Sequence, residues 1–146
     1  MDARLAVLQG IRSISQLYDS LRKEVCQKHG LTAAEADILS FLSHNPQFNT
    51  AGEICRLRRM QKGNVSRAVD DLCRRGLLCS RPDPGDGRRS YLYMTEKADA
   101  VLPDISGLNE RFFRALTDGF TREELELYHD MSRRLSENAA RALERK

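Results

Sequence analysis

Between positions 61 and 67 the chain reads Gln-Lys-Gly-Asn-Val-Ser-Arg. Lys62, Asn64, Ser66 and Arg67 are hydrogen-bonding side chains of different kinds packed into six positions. An asparagine matches the donor and acceptor of an adenine edge, and an arginine matches a guanine edge or a phosphate. If this segment opens a helix, its free first-turn N–H groups add an end that favours phosphate. Asn64 and Ser66 fit the role of helix caps equally well, so two readings stand for them. A second cluster follows at Pro82-Asp83-Pro84-Gly85-Asp86-Gly87-Arg88-Arg89, where proline and glycine dictate a loop that carries two adjacent cations.

From Arg56 to Arg89 there are ten basic residues against four acidic ones, a surplus of six, while the rest of the chain is negative by three. A basic block on a mildly acidic remainder is the footprint of a polyanion partner, although a solvated charged face has the same composition. Other chemistries lack their residues. There is no nucleophile elbow, phosphate loop or dinucleotide fingerprint, so catalysis and cofactors are not expected. The four cysteines have no metal-ligand spacing, and His29, His44 and His129 are scattered, so no metal site is expected. Cys55 and Cys73 fall at apolar positions of helical patterns and read as small hydrophobes. Cys26, near Lys23 and Lys28, is the one candidate for a redox-responsive thiol.

The elements around these clusters can be read from periodicity. Leu5, Leu8, Ile11, Ile14, Leu17, Leu21 and Val25 form one helical stripe ending at Gly30. Thr32 with Glu35, Thr50 with Glu53, and Thr121 with Glu124 have capping-box spacing and open three further helices. Ile54 and Leu57 are expected to face inward from the second of these. A helix with Val65, Ala68, Val69 and Leu72 on its apolar face ends at Gly76. Strands over 77–81 and 90–94 flank the Pro/Gly loop as a hairpin. Thr95 is expected to cap a helix running to about Asp118, with Pro103 kinking it or marking its early turns. Two short helices, a turn, a polar-fronted helix and a hairpin make a winged helix-turn-helix.

The chain resembles the MarR family of winged-helix transcriptional regulators. The resemblance rests on Leu31-Thr32 with Ala36-Asp37-Ile38-Leu39, on Asn64 to Leu72 with Arg75-Gly76-Leu77, and on Asp86-Gly87-Arg88 followed by Leu92 and Met94-Thr95-Glu96-Lys97. It implies a symmetric dimer that lays two recognition helices into successive major grooves of a palindromic operator. It implies DNA contacts from Lys62, Gly63, Asn64, Ser66 and Arg67, and a wing whose Arg88 enters the minor groove. Asp86 would pair with Arg88 and orient its guanidinium, and Arg89 would contact phosphate. The alternative for Asp86 and Arg88 is a local ion pair across a turn, worth little at a surface. An effector pocket for a small aromatic or phenolic acid is also implied, with Tyr18, Arg22 and Phe41 on segments that could line it. The chain departs from the pattern at three positions. Gly63 stands where the family often has a small hydroxyl residue, and Arg59 and Ala98 stand where it often has glycine.

The expectation is therefore a mainly α protein with a small β-hairpin wing (α+β). Residues 1–146 would form a single MarR-like domain, with a DNA-binding lobe at 31–98 and helical dimerisation regions at 1–30 and 99–146. Its function would be that of a ligand-responsive, homodimeric repressor. The alternatives are a winged-helix protein-interaction module or a redox-responsive regulator using Cys26. No apolar run approaches the roughly 20 residues that span a bilayer, and residues 1–13 lack a signal-peptide core, so a cytoplasmic protein is expected.

Overall fold

A computed structural model describes residues 2–146. The elements run α1 (Ala3–His29), α2 (Ala33–His44), α3 (Ala51–Arg58), α4 (Lys62–Arg74), β1 (Leu78–Pro82), β2 (Ser90–Met94), a 3₁₀ turn (Glu96–Ala100), α5 (Leu102–Thr117) and α6 (Arg122–Glu144). Mainly α with one antiparallel hairpin is the expected class. The chain divides into two compact units, the first ending at Phe112 and the second spanning Phe113–Lys146.

Local chemistry explains the boundaries. Gly30 stops α1 in the left-handed conformation at φ 63°, which costs a residue without Cβ nothing. Thr32, Thr50 and Thr121 each accept the N3 amide and are answered by the glutamate three residues on, so all three capping boxes form. In the first unit Ile38, Leu39, Ile54, Val65, Leu72 and Ile105 are fully buried, which ties α2, α3, α4 and the start of α5 into one core. Leu21 and Val25 extend that core along the second half of α1. The hairpin pairs Ser80 with Leu92 and Arg81 with Tyr91, and only Leu78 and Leu92 of its residues are buried. Asn49 fixes this hairpin to the α2–α3 connection. Its carbonyl accepts the Leu92 N–H at 2.8 Å, and its Nδ2 donates to the Leu92 carbonyl at 3.0 Å.

Three expectations need correction. The helix expected from Thr95 is interrupted, because residues 96–100 form a 3₁₀ turn and α5 starts only at Leu102. The Thr95 hydroxyl donates to the Gly76 carbonyl and its N–H donates to the Leu77 carbonyl, so it is tied to the α4–β1 connection and caps nothing with its side chain. Pro103 falls in the first turn of α5, where a missing N–H loses no helical bond. Leu57 is 41% exposed, since the eight-residue α3 reaches the core through Ile54. Strand β1 begins at Leu78, one residue later than read.

Much apolar surface stays uncovered within the chain. The first half of α1 exposes Leu5, Val7, Leu8 and Ile11. In the second unit α6 buries no residue and exposes Leu127, Tyr128, Met131, Leu135 and Leu143.

Candidate nucleic-acid interface

Helix α4 is positioned by its own sequence. Val65, Ala68 and Leu72 are buried, and the alternating positions Lys62, Gly63, Asn64, Ser66 and Arg67 are exposed. Unlike α2, α3 and α6, α4 has no side-chain cap, because Gln61 makes no such bond. Asn64 and Ser66 lie inside the helix and not at its cap. The first-turn N–H groups therefore point outward with nothing from a capping side chain, which suits an anion. A Cβ added at Gly63 would meet no atom within 4 Å. Asn64 and Arg67 line a small cleft, about 190 Å³, against Thr32 and Glu35 at the start of α2.

The turn into α4 carries strain. Arg59 ends α3 with φ 51°, the left-handed region, and it is the one non-glycine residue in that conformation among the described residues. This is one of the positions where the resemblance would have placed glycine, and a side chain there costs roughly 1 kcal/mol.

The wing is a closed loop. Asp83 N–H donates to the Arg89 carbonyl at 2.8 Å, and Arg89 N–H donates to the Asp86 carbonyl at 3.1 Å. Asp83 Oδ1 accepts the Gly85 N–H at 2.8 Å, and its Oδ2 accepts the Tyr91 hydroxyl at 2.9 Å. These two bonds hold the Asp83 carboxyl below its ordinary value, the Gly85 N–H contributing most, and the bond to Asp83 raises the Tyr91 phenol. Asp86 does not hold the Arg88 guanidinium. Its Oδ1 accepts the Arg88 backbone N–H at 3.0 Å, and no ion pair joins the two side chains among the described residues. A carboxylate two residues before an arginine is the geometry of a side-chain turn, which wins over a surface ion pair. Arg89 lies over the Tyr91 ring at 5.6 Å and Arg81 over the Tyr93 ring at 5.0 Å. Arg88, Arg89 and Arg56 of α3 line one cleft of about 490 Å³ between the helix and the hairpin.

The cations of this region fall into two groups. Arg58, Arg74 and Arg75 are paired with Asp37, Asp71 and Glu35 at 3.8, 2.6 and 3.5 Å. Arg56, Arg59, Lys62, Arg67, Arg81, Arg88 and Arg89 have no acidic partner within ion-pair distance among the described residues. Asp83, Tyr91 and Asn49 were not among the sequence candidates, and Arg56 stood there only as part of the basic block. Asp83 carried a usable signal, an aspartate opening a Pro-Gly turn. The reach from Asp83 to Tyr91 and from Asn49 to Leu92 leaves no linear trace.

The residues considered for an effector are partly assembled. Arg22 pairs with Asp37 at 2.8 Å and with Asp19 at 2.7 Å, and its guanidinium lies 5.4 Å from the centre of the Tyr18 ring. Tyr18 meets Phe112 edge-on at 5.2 Å, and burial pushes its phenol up. Phe41 packs against the core from α2. Asp37 Oδ1 is buried without a hydrogen-bond partner. Cys26 donates to the Thr32 carbonyl at 3.6 Å, and burial raises its thiol, the opposite of what a thiolate sensor requires. Cys55 and Cys73 are half-buried against the core. No cluster of His, Cys, Asp and Glu able to hold a metal occurs among the described residues, and no helix there is long and apolar enough to cross a membrane.

A helix-turn-helix followed by a hairpin braced against it defines a winged helix. The MarR family model matches residues 29–89, which include α2, α3, α4 and the wing loop. The HTH-type transcriptional regulator MhqR of Bacillus subtilis (strain 168) is 27% identical over 128 residues, covering 88% of this chain and 87% of its own. The fold is shared with a MarR family transcriptional regulator from Listeria monocytogenes solved in complex with 26mer DNA (TM-score 0.84, 23% identity, 92% of this chain and 89% of that one). It is shared also with BpsR of Bordetella bronchiseptica, described with regulation of its DNA binding by 6-hydroxynicotinic acid (TM-score 0.71, 20% identity, 90% and 98%). Over residues 29–89 the chain is thus similar to the MarR family of transcriptional regulators, and its likeness to MhqR extends over most of its length.

Proposed function

We propose that the protein is a homodimeric, ligand-responsive repressor of the cytoplasm that binds a palindromic operator in duplex DNA. Each chain would lay Lys62, Gly63, Asn64, Ser66 and Arg67 along the major groove and set Arg88 and Arg89 of the wing against the flanking minor groove and backbone. The observation that carries this reading is the division of the cations. Those at the start of α4 and in the wing lack acidic partners among the described residues, whereas Arg58, Arg74 and Arg75 are each paired with a carboxylate. Cations left unpaired at a surface are available to replace the counterions of a phosphate backbone. The DNA complex of the Listeria relative supports the same partner.

The uncovered apolar faces of α1 and α6 support a second copy of the chain as their cover. For the effector, the BpsR relative supports a small aromatic acid as the class, and such an acid would have to compete with Asp19 and Asp37 for Arg22 beside Tyr18. Residues 31–98 would act as the DNA-binding lobe, and 1–30 with 99–146 as the dimerisation regions.

The test begins with duplexes selected from a random pool by the wild-type protein. Arg88→Ala is expected to weaken binding to the selected duplex by about tenfold or more, in line with one well-placed arginine contact. Lys62→Ala is expected to weaken binding to all duplexes alike and to reduce the salt slope by about one. Retention of wild-type affinity by Arg88→Ala at matched salt would remove the wing from the interface. Binding with no salt dependence would favour a protein partner instead.

A further inference from the structure

We infer that Asp83 and Tyr91 are positioning residues that pre-organise the wing, so that Arg88 and Arg89 meet DNA without a loop having to order first. This rests on the wing contacting DNA, as proposed above.

Both acceptor atoms of Asp83 are committed inward, Oδ1 to the Gly85 N–H and Oδ2 to the Tyr91 hydroxyl. The tip of the loop is thereby tied to the second strand at a residue that pairs with Arg81 across the hairpin. The Asp83 backbone N–H closes the same loop on the Arg89 carbonyl, and the Tyr91 ring lies beneath the Arg89 guanidinium. One side chain, Tyr91, thus holds the turn through its hydroxyl and an arginine through its ring. Asp86 completes the arrangement by fixing the backbone of Arg88. The wing carries two carboxylates where phosphate would repel them, and both are spent on fixing loop backbone. A free Gly/Pro loop would have to lose its conformational freedom on binding, and a loop already fixed avoids that loss.

Tyr91→Phe removes the hydroxyl and keeps the ring, so it isolates the bracket from the arginine contact. It is expected to weaken binding to the selected duplex about fivefold, the size of one ordinary hydrogen bond, with the thermal midpoint unchanged. Asp83→Ala should lose at least as much. Asp83→Asn should stay within about twofold of wild type, because the amide can accept from Gly85 and donate to the Tyr91 oxygen. In a protein already carrying Arg88→Ala and Arg89→Ala, Tyr91→Phe should cost nothing further.

Wild-type affinity in Tyr91→Phe, with Arg88→Ala still impaired, overturns the positioning role and leaves the wing contact standing. An equal loss in both backgrounds overturns it as well, since the hydroxyl would then act independently of the arginines. Full binding by the double arginine variant removes the wing contact itself, and the inference falls with it.

Discussion

His29 Nε2 lies 2.6 Å from Oδ2 of Asp104, which joins the last residue of α1 to the first turn of α5. Lys28 Nζ reaches the same oxygen at 2.9 Å. Lys28 foremost, then His29, holds the Asp104 carboxyl below its ordinary value of 3.8. A carboxylate depressed in the folded state stabilises the fold above its unfolded pKa, and that stability is lost as pH falls through the folded value. Asp104→Asn should therefore melt below wild type at pH 7, and the gap should close as the buffer is taken below about pH 4. Melting curves of the two proteins at a series of pH values check this. A gap that widened in acid would contradict the assignment.

Arg75 follows α4 and grips the α1–α2 turn. Its Nη1 donates to the Gly30 carbonyl at 2.9 Å, its Nη2 donates to the His29 carbonyl at 2.8 Å, and Glu35, only 4% exposed, lies within 3.5 Å. Arg75→Ala would leave a buried carboxylate short of a partner. A loss of about 1–2 kcal/mol in urea unfolding is expected, tempered by the partial exposure of the arginine. Arg74→Ala, which removes an exposed pair with Asp71, should cost no more than a few tenths of that.

Arg59→Gly tests the strained turn before α4. Glycine adopts the left-handed conformation freely, and its greater freedom in the unfolded chain offsets part of the gain. A net stabilisation of roughly 0.5–1 kcal/mol is expected by denaturant titration. Destabilisation would mean that the arginine side chain holds the turn by a contact stronger than its strain.

Leu8→Glu on α1 and Leu135→Glu on α6 place charges on the two most exposed of the apolar positions named there, at 61% and 66%. If a second copy covers these faces, each variant should sediment as a monomer at micromolar concentration where wild type is a dimer. A wild-type protein that is already monomeric would dispose of the dimer.

Helices were legible wherever capping and periodicity agreed, as at Thr32, Thr50 and Thr121. The winged-helix order was legible too, because Val65, Ala68 and Leu72 repeat at helical spacing and the Pro/Gly loop separates two short strands. Thr95 misled because a threonine before a polar run looks the same whether its hydroxyl bonds forward to an amide or back to Gly76. Leu57 misled because an eight-residue helix cannot bury both of its apolar turns. Around the wing, type and position were readable for Arg88 and Arg89, but the bond from Tyr91 to Asp83 depends on where the hairpin register brings the tyrosine. That register is a tertiary property, and a single chain of letters does not contain it.

Gly63 projects no side chain from the opening turn of α4, and the space outside it is empty of protein. A serine introduced there would stand clear of every packed group and would raise helix propensity by a few tenths of a kcal/mol. With α4 in the groove as proposed, base preference there is expected to change without disturbing the scaffold, which makes the protein a starting point for regulators of changed operator choice.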